Sequence, residues 1–219
     1  MRLALSVFAS LLAAAQLASA GLVIVQEADH LGPDAGRTRM TLNISGERAR
    51  IDVGDQLSSI VDLKSGSVTS LMHPQKIAMQ LPKEALAAIQ EKAAEKTEKP
   101  DLKPTGKKEK INGYACTEYA GTLQGLAVTY WVTNDVPNQK AILDQMAKLA
   151  GSSDIFKGAL ASGADFPGFP IRTTVTSPQL GTSTMTVVSI KETDLPDSEF
   201  EIPAGYQTLK SPLPGVGGN

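Results

Sequence analysis

The sequence has few of the residue types from which proteins build catalytic and metal centres. Among 219 residues it contains one cysteine, Cys116, and two histidines, His30 and His73. A single cysteine cannot form an internal disulfide bond, so the fold must be stable without one. No C-x-x-C, H-x-x-x-H or D-x-D-x-D-G pattern occurs, which excludes the common zinc and calcium motifs. We therefore expect no metal, no cofactor and no enzymatic activity.

The chain also lacks an excess of either charge and, after its first residues, a long apolar run. Its 21 Lys and Arg nearly balance its 23 Asp and Glu, which leaves no electrostatic footprint for nucleic acid or for an anionic membrane surface. After residue 20, no uncharged apolar stretch approaches the ~20 residues that a membrane-spanning helix needs. The sequence thus predicts a protein that neither binds nucleic acid nor spans a membrane.

The first twenty residues, MRLALSVFASLLAAAQLASA, have the pattern of a secretory signal peptide. Arg2 precedes an apolar run, and Ala18 and Ala20 form an A-x-A cleavage pattern. No cysteine follows Ala20, which argues against a lipid-anchored lipoprotein. We expect residues 1–20 to be removed, so that the mature chain starts at Gly21 and is exported to a bacterial periplasm.

Alternation of apolar and polar residues predicts about ten strands. Residues 38–45 and 49–53 alternate on either side of a tight turn, as in an antiparallel hairpin with one dry face. The segments SSIVDL, SVTSLM and KIAMQL continue this pattern as a meander. Later strands are predicted at YACTEYAGTL, LAVTYWVT, FPIRTTVTS and TSTMTVVSIKET, the last two forming a hairpin around Gly181. His30 is expected in a loop after a first strand.

Helical spacing of apolar residues occurs in three places. The first helix is predicted from Lys83 to about Lys96, the second from Asn134 or Asp135 to Gly151, and a short third one from Ser152 or Ser153. Four lysines after the first helix are interpreted as a solvated exit loop: Lys103, Lys107, Lys108 and Lys110. We expect one domain over residues 21–210 and a flexible tail at 211–219.

Several blocks of sequence resemble a known family. These are SSIVDLKSGSVTSLMHPQKIAMQLP, KINGYACTEYAGTL with TYWVTNDVP, FPGFPIRTTV and IKETDLPDSEFEIPAGYQ, and they cover nearly the whole mature chain. In this order they look like the blocks of DUF4412, a family of exported bacterial proteins that is similar to the periplasmic lipoprotein carriers of the LolA and LolB type. The resemblance implies an α+β fold, in which about three helices cover the concave face of a strongly curved antiparallel sheet, an incomplete barrel.

An incomplete barrel has an inner face that its own side chains do not easily fill, so helices or an apolar guest must cover it. In the carriers, the resemblance implies, the guest is a set of acyl chains. The candidate lining residues here are Met40, Leu42, Ile44, Ile51, Val53, Ile77 and Met79. Ordinary core packing accounts for the same residues, and both interpretations stay open.

Two functions therefore compete at this point. The first is an exported binding or carrier-like protein that holds an apolar or lipid-like ligand, and the second is an envelope interaction or scaffold module with a filled core and a protein partner. Cys116 is interpreted as a small buried core residue, because neither histidine has sequence neighbours that suggest a catalytic pair. Tyr130 and Trp131 are expected on opposite faces of their strand.

Overall fold

The computed structural model describes residues 21–31, 36–81, 101–123, 125–152, 167–179 and 181–210. Within these ranges the chain forms twelve strands, one α-helix and one 3-10 helix. The predicted signal peptide, the predicted helix at 83–96, most of the short predicted helix that follows Ser152, and the tail at 211–219 lie outside the described residues.

Short turns join β2 to β3, β3 to β4, β4 to β5, β5 to β6 and β7 to β8, and helix α1, Gln139–Ser152, lies between β9 and β10. A 3-10 helix, Asp197–Phe200, lies between the last two strands. The strands are β1 Gly21–Leu31, β2 Gly36–Ser45, β3 Arg48–Val53, β4 Leu57–Asp62, β5 Ser67–Met72, β6 Ile77–Leu81, β7 Lys103–Ile111, β8 Tyr114–Leu123, β9 Leu126–Thr133, β10 Phe169–Ser177, β11 Gly181–Thr193 and β12 Gln207–Lys210.

All twelve strands belong to one sheet in the order β12-β6-β5-β4-β3-β2-β1-β11-β10-β9-β8-β7. Every pairing is antiparallel except that of β12 with β6, which is parallel. The outermost strands, β12 and β7, do not pair with each other, so the sheet is open. The prediction of a mostly antiparallel sheet that does not close is confirmed.

The described part of the chain contains one α-helix, whereas about three were predicted. Helix α1 begins later than expected because Asn138, with φ of +53°, has a left-handed backbone that cannot belong to a right-handed helix. Its buried residues Ile142 and Met146 belong to the largest hydrophobic cluster among the described residues, called here the main core. Strand residues such as Leu22 and Ile24 belong to the same cluster. This helix therefore covers the sheet as predicted.

Two strands were not predicted, and one histidine was misplaced. The four lysines assigned to an exit loop lie in β7, an edge strand that is exposed from residue 103 to residue 110. Asn112 and Gly113, both with positive φ, make the two-residue turn that joins β7 to β8. β12 is the other missed strand. His30 was wrongly placed in a loop, since it pairs with Gly36 and Ser183 within β1.

The predictions for the other conspicuous side chains are confirmed. Cys116 is 2% exposed and packs in the main core, and burial raises the pKa of its thiol. Trp131 packs against the main core, whereas Tyr130 belongs to a separate cluster with Val128 and Val132. Adjacent residues of β9 thus point to opposite faces.

Candidate functional site

The two faces of the five-strand segment β2–β6 differ in what covers them. The core face carries main-core residues such as Leu42, Ile51 and Val61. The opposite face, called here the strap face, is crossed by residues 195–206, which lead into the edge strand β12; residues 195–210 together are called here the strap. On it Ile60, Leu71 and Ala78 pack against Phe200 of the strap. Each of the two faces holds a candidate site.

Three rows of side chains cross the core face, each with one residue per strand in register. The lowest row is almost fully buried, and it consists of Ile44, Ala49, Val61, Val68 and the partly buried Leu81. The middle row becomes polar at its centre, with Leu42, Ile51, Ser59, Ser70 and Met79. The highest row is entirely apolar, with Met40, Val53, Leu57, Met72 and Ile77.

This highest row, called here the apolar row, is the least buried of the three. Leu57 is 38% exposed, and the other four members are partly exposed. Met40 and Val53 still pack against the main core. Register extends the row to Gln26 of β1, opposite Met40, and to Gln207 of β12, opposite Ile77. An apolar stripe that ends in an uncharged amide at both sides therefore crosses five strands.

All seven predicted lining residues lie on the core face, but the structure divides them. Leu42, Ile44 and Ile51 are at most 6% exposed and are packed into the main core. Met40, Val53, Ile77 and Met79 are partly exposed. Leu57 and Met72, which the prediction did not name, lie in the same row as Met40, Val53 and Ile77. Met72 follows from the alternation in SVTSLM, whereas Leu57 directly precedes the strand that the sequence predicted.

The strap face holds a partly buried chain of hydrogen bonds that the sequence did not predict. Asp52 Oδ1 accepts hydrogen bonds from Arg50 Nε at 2.7 Å and from the Ser58 hydroxyl at 2.5 Å. Ser58 Oγ also lies 2.6 Å from His73 Nε2 and 3.2 Å from Arg50 Nη2. On the far side of the imidazole, Nδ1 is hydrogen-bonded to the hydroxyl of Tyr206 from the strap.

The proton count in this chain argues against a catalytic serine. Ser58 has one hydroxyl proton, and its short contact with the Asp52 carboxylate requires that proton to go to Asp52. His73 Nε2 must then donate to Ser58, so the imidazole cannot act as the base that activates this hydroxyl. Ser58 is also 0% exposed. The chain of hydrogen bonds therefore serves to hold the strap.

Further contacts fix the strap along its length. Arg48 forms an ion pair with Asp197, and its guanidinium carbon lies 4.9 Å from the centre of the Phe200 ring. Glu199 accepts hydrogen bonds from Asn43 Nδ2 at 3.1 Å and, through its backbone carbonyl, from Arg50 Nη1 at 3.2 Å. The backbone N–H of Gln207, the first residue of β12, donates a hydrogen bond to the backbone carbonyl of Lys76 at 2.8 Å.

A buried carboxylate lies in the other half of the sheet, on β8. Glu118 is 7% exposed and accepts a hydrogen bond from the Thr105 hydroxyl at 2.6 Å. This hydrogen bond, with help from Lys107 Nζ at 3.1 Å, lowers the pKa of the carboxyl. The same pairing joins the edge strand β7 to β8. We interpret Glu118 as a structural group, because both of its partners belong to the adjacent edge strand.

Two open clefts are lined by described residues. One, of about 400 Å³, lies between the β2–β3 turn, the β4–β5 turn and the start of the strap, and charged residues such as Glu47, Asp62 and Asp194 line it. The other, of about 420 Å³, lies between helix α1 and the ends of β1 and β11. Neither is an enclosed apolar cavity. Among the residues described, no group of three or more His, Cys, Asp or Glu is arranged to hold a metal ion.

Comparison with known proteins gives one family and several distant structural likenesses. The family model described as "Domain of unknown function (DUF4412)" matches residues 29–206. No curated protein matches the sequence.

Among solved structures, PNGF-II in a C2 crystal form is 13% identical with a TM-score of 0.43, and the match covers 88% of this chain but 31% of that one. The MucA/MucB complex of Pseudomonas aeruginosa gives 8% identity and a TM-score of 0.43, covering 88% of this chain and 59% of that chain. The LolA superfamily protein NE2245 of Nitrosomonas europaea is 10% identical with a TM-score of 0.36, and the match covers 84% of this chain and 90% of that one. Likenesses at this level carry no argument about what the chain does.

Proposed function

Because the chain belongs to the DUF4412 family, a domain of unknown function, we propose its role from its own surface: it is a non-enzymatic envelope protein that binds an apolar or lipid-like molecule on the core face of β2–β6. The observation that carries this proposal is the apolar row. Five neighbouring strands each place an apolar side chain there, yet Leu57 remains 38% exposed. Contiguous exposed apolar surface is costly to keep unless it binds something.

The composition of the row supports binding rather than incomplete packing. Met40 and Met72 are long, flexible and polarisable, so they can adapt to ligands of different shape without a large energetic cost. Most residues of the two rows below it are buried, so the core is largely formed without the apolar row. The ligand is thus held on an open face of the sheet.

Export is the second part of the proposal. The signal-peptide pattern of residues 1–20 supports export of a mature chain, from Gly21, to the periplasm. No helix among the described residues is long and apolar enough to cross a membrane. A protein in the periplasm encounters lipids released from the inner and outer membranes, and such lipids are the proposed ligands of the apolar row.

The alternative is an interaction module whose apolar row contacts an envelope protein. The packed main core favours it, since Leu42, Ile44 and Ile51 leave no room for a guest among them. In that case the apolar row is the centre of a protein interface and binds no small molecule.

Native mass spectrometry of the protein purified from its own periplasm, followed by lipid extraction, tests the proposal. We expect co-purifying lipid, and we expect the Leu57→Gln variant to carry less of it. The matched control is Leu209→Gln, because Leu209 is equally exposed at 39% but lies outside the apolar row. A mass without ligand, together with no thermal shift on adding lipids, would favour the interaction module.

A further inference from the structure

The outline of the apolar row restricts the shape of its ligand. The row extends over five strands, and four steps of ~4.8 Å between neighbouring strands make it ~19 Å long. It is narrow at its centre, because Ser59 and Ser70 of the middle row lie directly below Leu57 and Met72. Above it the chain turns back through the exposed turn residues 54–56 and 74–76. The surface is therefore a stripe.

The two ends of the stripe restrict the chemistry of its ligand. Gln26 and Gln207 are its neighbours on β1 and β12, and both carry uncharged amides that donate and accept hydrogen bonds. No member of the row is charged. The nearest turn charges, Asp55 and Lys76, are exposed and of opposite sign, so they do not select for a charged head group.

We infer that the stripe binds one unbranched hydrocarbon chain, laid across the strands, with an uncharged hydrogen-bonding head group at one of the two glutamines. This rests on the proposed function and names the ligand class: a single-chain neutral lipid. The dimensions agree, since a bilayer core of ~30 Å is two chains thick and one chain is therefore ~15 Å long. A rigid ring system would instead cover the partly exposed Ser70 and remove the hydration of its hydroxyl.

Binding of monoacylglycerols of increasing chain length to the mature protein tests this. Because each fully buried methylene contributes ~0.8 kcal/mol, half-burial of four methylenes raises affinity by roughly tenfold. We expect this gain from monooctanoyl- to monododecanoyl-glycerol, and a further gain to monohexadecanoyl-glycerol. The corresponding fatty acids should bind no tighter than the monoacylglycerols, and added salt should not change the order.

Two variants locate the chain on the stripe. Leu57→Gln interrupts the centre of the row and should weaken monohexadecanoyl-glycerol about tenfold, whereas Leu209→Gln should leave its affinity unchanged. Gln207→Leu places an apolar residue on β12 and so lengthens the row by one strand. Monodocosanoyl-glycerol should therefore bind this variant more tightly than it binds the unaltered protein.

The outcomes separate this inference from the proposed function. Equal affinity at all chain lengths, equally tight binding of cholesterol, or a salt-sensitive preference for the fatty acids would overturn the single-chain neutral lipid but keep an apolar binding surface. If none of these probes binds, the proposed function fails, and the inference fails with it.

Discussion

The two faces of β2–β6 are built from alternate residues of the same strands, yet they are completed in opposite ways. On the strap face, a segment of the chain itself supplies the cover: Phe200 fills the apolar part, and Tyr206 ends the hydrogen-bond chain from Asp52. On the core face, most residues of the two lower rows are buried but every member of the apolar row stays at least partly exposed. The difference separates a surface that the chain covers with its own residues from one that is available to a ligand.

The largest expected effect is on the strap anchor. Phe200→Ala removes the buried aromatic ring that joins the strap to Ile60, Leu71 and Ala78, and we expect it to lower the free energy of unfolding by about 3 kcal/mol. Limited proteolysis should then cut the strap before the rest of the sheet. Leu209→Ala, at an exposed strap position, should change stability by less than about 0.5 kcal/mol. Equal stability loss in both variants would mean that the strap is not anchored at Phe200.

A pair of adjacent serines compares the two faces directly. Ser58→Ala removes the buried hydroxyl that is hydrogen-bonded to both Asp52 Oδ1 and His73 Nε2, and we expect a loss of about 2 kcal/mol in urea unfolding. Ser59 points to the core face and has no side-chain hydrogen bond to any described residue, so Ser59→Ala should lie within about 0.5 kcal/mol of the unaltered protein. Similar values for the two variants would contradict the assignment of the polar network to one face.

A smaller effect is expected at the far end of the network. Tyr206→Phe removes the hydroxyl at His73 Nδ1 and should cost about 1 kcal/mol. The imidazole nitrogen shifts in NMR spectra should change at Nδ1 and remain those of a protonated Nε2. Tyr119→Phe is the control, since the Tyr119 hydroxyl contacts no partner in the described part of the chain. If Nε2 proves unprotonated, the proton count at Ser58 is wrong.

The smallest effect on stability is expected at the apolar row. Leu57→Gln replaces a side chain that is already 38% exposed, so the unfolding free energy should change by less than about 0.5 kcal/mol. The same variant should nevertheless reduce the lipid that co-purifies. A large loss of stability would show instead that the row is part of the core, and the contrast between the faces would disappear.

The core face could be predicted from the sequence, because alternation is a local signal. In residues 38–53, and at Ile77, Met79 and Leu81, it places the apolar side chains on the core face, and only the degree of exposure is missing. Exposure depends on which residues from distant strands lie alongside. Thus Leu42 is buried and Met40 is not, although both follow the same pattern.

The strap face could not be predicted in this way. Its contacts join residues up to 156 positions apart, as for Asn43 and Glu199, and no local pattern in Ser58 or His73 points to Tyr206. β7 was missed because its lysines, Pro104 and Gly106 do not alternate with apolar residues. One signal was available, since Asn-Gly at 112–113 is typical of a two-residue hairpin turn and requires a strand on each side.

The register of β1 bears on when the chain folds. Gly21 pairs with Thr193, and Gln207 pairs with Ile77, so the central strand of the sheet and one of its edges cannot complete their pairing until residues 193–210 have been synthesised. Contacts this distant in sequence make folding slow. We expect the chain to leave the ribosome without its native sheet and to remain threadable through a translocation channel, folding only after its carboxyl end has crossed.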